Sequence, residues 1–199
     1  METLAIYGGT FSPPHNGHVR AAEAFFVAAC PDRLLIIPTA TPPHKALVPG
    51  ATAEDRLAMC RLAFSGIART EVSDIELRRE GKSYTVDTLR ALSAEGRRLA
   101  LLTGTDMFLT LEGWYRAAEI FALADIYVMR RFDDGGDAIF AKAEEYRARY
   151  AARVHYIETE PIAISSTELR EMLKHGEDPR DVLPPDVWEY IKKCNLYRS

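Results

Sequence analysis

Short apolar runs alternate with helix-like segments along the whole chain, and that alternation limits the fold more than any other feature. The runs fall at residues 4–7, 33–38, 99–102, 126–129 and 154–157. A sixth stretch, residues 71–77, alternates, with Val72, Ile75 and Leu77 as the inward positions once a bulge is allowed. Between them, apolar residues recur at helical spacing, as in Val19, Ala22, Phe26 and Ala29, or Leu57, Cys60 and Phe64. Buried strands that alternate with helices lie parallel and cross over right-handed, so the helices cover both faces of the sheet. The expectation is an α/β chain with a mostly parallel sheet. At 199 residues its length suits one domain, 1–199, with a C-terminal helical part from about residue 165 packed on the sheet.

The first strand runs into Tyr7-Gly8-Gly9-Thr10-Phe11-Ser12-Pro13-Pro14-His15-Asn16-Gly17-His18, and then into a helix. In a parallel sheet this junction lies at the carboxyl ends of the strands, where ligands bind. Glycines there let backbone N–H groups approach an anion, and a helix start adds unpaired donors and a positive dipole end. His15 and His18 are three apart, so a helical turn brings both rings to one side. Such a junction suits a polyphosphate. A metal pair is the competing reading, but no cysteine or carboxylate sits nearby at ligand spacing, and zinc needs three or four ligands.

Further strand ends carry further chemistry. Pro42-Pro43-His44-Lys45 is too proline-rich for a helix and brings cations to a loop. Gly81-Lys82-Ser83 is a turn, and Ser83 caps a helix bearing Val86, Leu89 and Leu92 that stops near Gly96. Thr103-Gly104-Thr105-Asp106 ends the most apolar strand; Asp106 there reads equally as a ribose contact or as a helix cap. Trp114-Tyr115-Arg116 opens a helix, and Arg130-Arg131 ends another strand. Residues 138–150 form a charged, alanine-rich surface helix. In Ile164-Ser165-Ser166-Thr167-Glu168-Leu169-Arg170, Ser165 and Glu168 have capping-box spacing. Capping leaves Ser166, Thr167 and Arg170 unexplained; hydroxyls at a helix start, with an arginine one turn in, make a triphosphate cradle. Pro184 and Pro185 precede a last helix whose inner face is Val187, Tyr190, Ile191 and Cys194.

Gly-Gly-Thr-Phe-Ser-Pro-Pro-His-Asn-Gly-His resembles the signature of the HxGH nucleotidyltransferases, and within them of the bacterial nicotinate-nucleotide adenylyltransferases. Ile164-Ser165-Ser166-Thr167 with Arg170 is similar to a second motif of that superfamily, some 150 residues further on. Pro42-Pro43-His44-Lys45 resembles its substrate-phosphate loop. The string from Ser83 to Leu89 resembles a block beside the nicotinate ring, and Trp114 a ring-stacking segment. The likeness spans residues 5–197. It implies a Rossmann-like fold and transfer of AMP from ATP to nicotinate mononucleotide, giving nicotinate adenine dinucleotide and pyrophosphate in NAD synthesis. It implies catalytic roles for His15, His18, Lys45 and Arg170. It implies ATP contacts at Gly8, Gly9, Thr10, Phe11, Gly104, Asp106, Ser165, Ser166 and Thr167. The mononucleotide would meet His44, Tyr84, Thr85, Trp114 and Tyr115. Mg²⁺ would come with ATP, with no metal site made by the protein. The family usually has Asp where this chain has Ser12.

Composition narrows the partners. A net charge of −4 gives no general basic footprint for nucleic acid. No membrane-length apolar run or leader is evident, and three widely spaced cysteines, Cys30, Cys60 and Cys194, read as small buried thiols in a reducing cytoplasm. A homo-oligomer stays open. So do three rival readings: a phosphopantetheine adenylyltransferase or cytidylyltransferase, an enzyme for nicotinamide mononucleotide, and a nucleotide sensor without turnover.

Overall fold

A computed structural model of the chain describes residues 1–42, 49–130, 137–158 and 164–198. In chain order they form β1 (Glu2–Gly9), α1 (Asn16–Ala29), β2 (Arg33–Pro38), α2 (Ala53–Ala63), β3 (Thr70–Val72), α3 (Thr85–Leu92), β4 (Arg97–Gly104) and α4 (Thr105–Leu109). After a 3₁₀ turn, Leu111–Gly113, come α5 (Ala117–Leu123), β5 (Ala124–Arg130), α6 (Asp137–Tyr150), β6 (Val154–Glu158), α7 (Ser166–His175) and α8 (Pro185–Cys194). The six strands form one sheet in the order β3-β2-β1-β4-β5-β6, parallel throughout. That is the doubly wound order, whose direction of growth reverses between β1 and β4. No helix among the described residues is long and apolar enough to cross a membrane.

The chain divides into two compact units. The first holds Met1–Tyr7, Glu23–Leu35 and Tyr84–Pro161. In it β1 pairs with β4 from Glu2↔Arg97 to Ile6↔Leu101, β4 with β5, and β5 with β6. Leu4, Ala5, Ala124, Ile126 and Val128 are wholly buried, as strands covered on both faces require. Leu4, Ile126 and Val128 each contribute about 1.5–3 kcal/mol by this burial. Helix α6 is less of a surface helix than its composition suggests. Ile139, Ala143 and Tyr146 form a fully buried stripe at helical spacing. The Tyr146 hydroxyl donates to the Phe108 carbonyl (2.9 Å) and accepts from the Glu112 N–H (3.3 Å), while its ring packs on Phe108 and Phe121. At the start of β5, buried Asp125 is held by Arg98 and Arg153, and the His155 ring lies nearby with Nε2 3.5 Å from the carboxylate. Burial pushes its carboxyl up, but hydrogen bonds from Arg153 and Arg98 outweigh that and keep it below the usual range. It is a structural ion cluster.

The second unit holds Gly8–Ala22, Ile36–Ser83 and Ile162–Ser199. Here α2 packs on α8, and the Tyr190 hydroxyl donates to Asp55 (2.9 Å). Thr52, the N-cap of α2, forms a full capping box with Asp55. Strand β3, by contrast, is shorter than the alternation at 71–77 implies. The chain turns after Val72: Ser73 Oγ accepts from the Ile75 N–H, and Arg78 N–H donates to the Asp74 carbonyl. Ser and Asp favour such turns, and the buried residue of the stretch is Glu76, not Ile75 or Leu77. Ser83 is not a helix cap either. Its Oγ accepts from the Thr41 N–H and its N–H donates to the Thr41 carbonyl, so the N-cap of α3 is Tyr84, and the helix ends at Leu92. Pro185 lies inside α8, in its first turn, where a missing N–H costs nothing. Only Cys60 is a buried thiol; Cys30 and Cys194 fall at helix ends and are exposed.

Candidate active site

In the second unit β1 ends at Gly9, and the chain enters a tight turn. A Cβ on Gly9 would lie 2.9 Å from the Phe11 ring, so only glycine fits. Phe11 is left-handed at φ 48, a strained conformation for a side-chain-bearing residue, and its ring is buried. That ring packs edge-on against His18 (centroids 5.1 Å) and Phe64 (5.6 Å). Phe11 thus wedges the turn into the core and supports a histidine ring. The Thr10 carbonyl accepts from Arg56 Nη1 at 2.8 Å.

His15 precedes α1, and His18 lies in its first turn. Their rings stand 3.7 Å apart, tilted by 35°, so the expected pairing on one side is present. The His15 backbone N–H donates to His18 Nδ1 (3.2 Å), which places the proton of a neutral His18 on Nε2. His15 is buried, and its Nδ1 has no hydrogen-bond partner. Burial lowers its pKa to about 4, partly offset by the Glu168 carboxylate. His15 is therefore neutral near pH 7.

The start of α7 docks on this turn. Ser165 and Glu168 form the expected capping box: Glu168 accepts from the Ser165 N–H and hydroxyl, both at 2.7 Å, and returns its own N–H to Ser165 Oγ. Those bonds hold the Glu168 carboxyl below its usual range. Ser166 Oγ donates to the Pro13 carbonyl (3.0 Å). Arg170 donates through Nη1 to the Ser12 carbonyl (2.8 Å) and through Nη2 to Thr167 Oγ1 (3.1 Å). Gly8, Gly9, Thr10, Phe11, His15, His18, Ser165, Ser166, Thr167 and Arg170 thus belong to one unit, with α7 bonded directly to the turn. His44 and Lys45 lie outside the described residues.

Two participants were not singled out in the sequence. Tyr197 is buried near the C-terminus; its N–H donates to the Gly50 carbonyl, its ring fills the place of any Gly50 side chain, and its hydroxyl meets Ser12 Oγ at 3.1 Å. Burial pushes that phenol up to about 12. Ser12 is thereby held as a neutral, hydrogen-bonded core residue. Arg56 is 1 % exposed. Its signal was present, since it shares a helix face with Cys60 and Ala63, where a charged residue is unexpected.

In the first unit, α3 starts at Thr85 with no side chain capping it; the Asp87 N–H donates to the Tyr84 carbonyl (3.1 Å), which leaves the N–H groups of Thr85 and Val86 to the surroundings. The rings of Tyr84 and Tyr115 lie 4.6 Å apart at 40°, and Arg116 Nε donates to the Tyr115 hydroxyl (3.3 Å). A bidentate pair, Arg90 to Glu119 at 2.6 Å, joins α3 to α5. Trp114 does not begin a helix: it terminates the 3₁₀ turn, and α5 starts at Ala117 after a left-handed Arg116. Asp106 is exposed in the first turn of α4, whose N-cap is Gly104 with no side-chain cap, so capping does not account for it. Arg130 pairs with Glu158 (3.3 Å); Arg131 lies outside the described residues.

A model of the cytidylyltransferase-like family matches residues 6–172. A Synechococcus sp. protein named "Probable nicotinate-nucleotide adenylyltransferase" is 38 % identical over 196 residues, covering 98 % of this chain and 96 % of the relative. A Gloeobacter violaceus protein of the same name is 39 % identical over 199 residues, with the same coverage. The fold is similar to that of Plasmodium falciparum nicotinic acid mononucleotide adenylyltransferase complexed with NaAD, with a TM-score of 0.82 at 18 % identity over 99 % of this chain and 98 % of that one. With both motifs in place and the likeness running end to end, the chain belongs to the cytidylyltransferase-like family and, within it, to the nicotinate-nucleotide adenylyltransferases.

Proposed function

We propose that the protein transfers AMP from ATP to nicotinate mononucleotide, releasing pyrophosphate. The observation that carries this reading is the docking of α7 on the turn after β1, which gathers His15, His18, Ser166 and Arg170 in one unit. A phosphate oxygen of the mononucleotide forms a bond to the α-phosphorus of ATP as the bond to the pyrophosphate oxygen breaks. That oxygen is already a nucleophile, so no general base is required. What the reaction needs is alignment and relief of negative charge. His18 supplies an Nε2 proton to the α-phosphate, its tautomer set by the His15 N–H. Arg170 is held by the Ser12 carbonyl and the Thr167 hydroxyl, so its fork is aimed before ATP arrives. Lys45 adds positive charge for the phosphates. Mg²⁺ would arrive with ATP and would relieve negative charge on its phosphates.

The uncapped start of α3 suits the nicotinate carboxylate. Its N–H groups and the Thr85 hydroxyl offer donors to a group that only accepts. Tyr84, Tyr115 and Trp114 supply flat faces for the pyridine ring. His44 would meet the mononucleotide phosphate, and Gly104 and Asp106 the adenosine part of ATP. Free thiols at Cys30, Cys60 and Cys194 suit the cytoplasm. The test is pyrophosphate release from ATP with a panel of acceptors: nicotinate mononucleotide, nicotinamide mononucleotide and phosphopantetheine. Release with the nicotinate acceptor at the highest efficiency supports the reading. Release only with phosphopantetheine, or with none, refutes it.

A further inference from the structure

Arg56 is the largest wholly buried side chain among the described residues. It sits in the first turn of α2, on the face that carries Met59, Cys60 and Ala63. Nη1 donates to the Thr10 carbonyl at 2.8 Å, while Nη2 is buried with no hydrogen-bond partner. The charges that act on it come from Tyr197, Cys60 and Glu54. Burial pushes both the Cys60 thiol and the Tyr197 phenol up, so neither is an anion near pH 7. That leaves Glu54, exposed at the start of the helix, as the one carboxylate of the three. Burial of a guanidinium without a close carboxylate costs several kcal/mol, and an apolar side chain of the same shape is often the more stable occupant. Fold stability therefore gives no reason for an arginine here.

The Thr10 carbonyl gives one. It belongs to the same planar trans peptide as the Phe11 N–H, so the two point in opposite directions. Pinning the carbonyl toward α2 turns the Phe11 N–H away from it. We propose that Arg56 is a positioning residue for the nucleotide's phosphates, an inference that rests on the adenylyl-transfer reading. It orients the Thr10–Phe11 peptide and holds, beneath the turn at residues 8–11, a positive charge that the bound polyphosphate balances. Arg56 acts through the backbone of the turn and through its field, which a poorly solvated setting preserves.

The test compares Arg56→Met and Arg56→Gln with Arg56→Lys. Three quantities are read: thermal unfolding without ligand, the Kd for a non-hydrolysable ATP analogue with no mononucleotide present, and kcat with each KM. Both neutral variants are expected to unfold near the wild-type temperature yet bind the analogue at least ~5-fold more weakly, since the buried charge that the polyphosphate balances and the pinned Thr10–Phe11 peptide are both lost. The KM for ATP should rise and kcat fall, while the KM for the mononucleotide stays within ~2-fold, because only uniform ATP binding and its alignment are touched. Lysine keeps a charge and a donor and should restore Kd to within ~5-fold of wild type. A folded neutral variant that binds the analogue within that ~5-fold margin overturns the proposal. Failure of both neutral variants to fold overturns it too, since Arg56 would then be a structural residue. A wild type that binds the analogue but does not use nicotinate mononucleotide refutes the functional reading alone, and the Kd comparison still decides Arg56.

Discussion

His15 should make folding stability depend on pH in a way that one substitution removes. Its pKa falls from 6.5 to about 4 on folding because the ring is buried. Between those values the unfolded chain holds a proton that the folded chain does not. The resulting stability is fully present above pH 6.5 and is lost as pH falls toward 4. At about 1.4 kcal/mol per pKa unit, the loss is roughly 1 kcal/mol between pH 7.5 and pH 5.5, and roughly 2–3 kcal/mol by pH 4.5. His15→Gln cannot titrate, so its stability should fall less over the same range by those amounts. Asp125, held by Arg153 and Arg98, titrates in both proteins and drops out of the difference, whereas Glu168, held mainly by Ser165, enters it only through its weaker coulombic coupling to the His15 ring. The assay is urea denaturation at pH 7.5, 5.5 and 4.5. Parallel losses of stability in wild type and variant would show that His15 is not buried neutral, and would undo the electrostatic description of the paired rings.

Three further outcomes follow from the same geometry. His18→Ala should cut turnover by ~10²–10³, as loss of one oriented donor to transition-state charge does, with little change in ATP affinity; turnover within ~3-fold of wild type sinks the assignment. Arg170→Lys should weaken ATP binding with the fold retained, because lysine cannot bond the Ser12 carbonyl and Thr167 hydroxyl together and still present a planar fork; calorimetric titration with ATP reads it. The acid should be preferred over the amide by at least ~10² in kcat/KM, and Trp114→Ala should weaken both mononucleotides without reversing the order, since a stacking face does not distinguish them.

Much of this site could be read before the fold was known, for reasons that differ from residue to residue. The turn after β1 carries its own instructions: two glycines, two prolines and a His-x-x-His pair leave few conformations, and Gly9 proves to be required by the Phe11 ring. The cap at Ser165 is a four-residue rule and needs no tertiary context. Errors came where tertiary contacts outvote local pattern. Ser83 has the chemistry of a cap, but Thr41 takes its hydroxyl. Residues 71–77 alternate like a strand, but Ser73 and Asp74 form a turn. The composition of α6 hides the stripe that buries Tyr146. Arg56 shows locally only as a charge on an apolar helix face; what it does there depends on a partner 46 residues away, the Thr10 carbonyl, which no local window contains.

The central claim is that this chain moves the adenylyl group itself onto nicotinate mononucleotide. ATP labelled at the α-phosphate, incubated with Mg²⁺, enzyme and that mononucleotide, tests it directly once the products are separated. The account predicts that the label appears in nicotinate adenine dinucleotide, with one pyrophosphate released for each dinucleotide formed. Label that stays in ATP, or that leaves as free AMP, would contradict it.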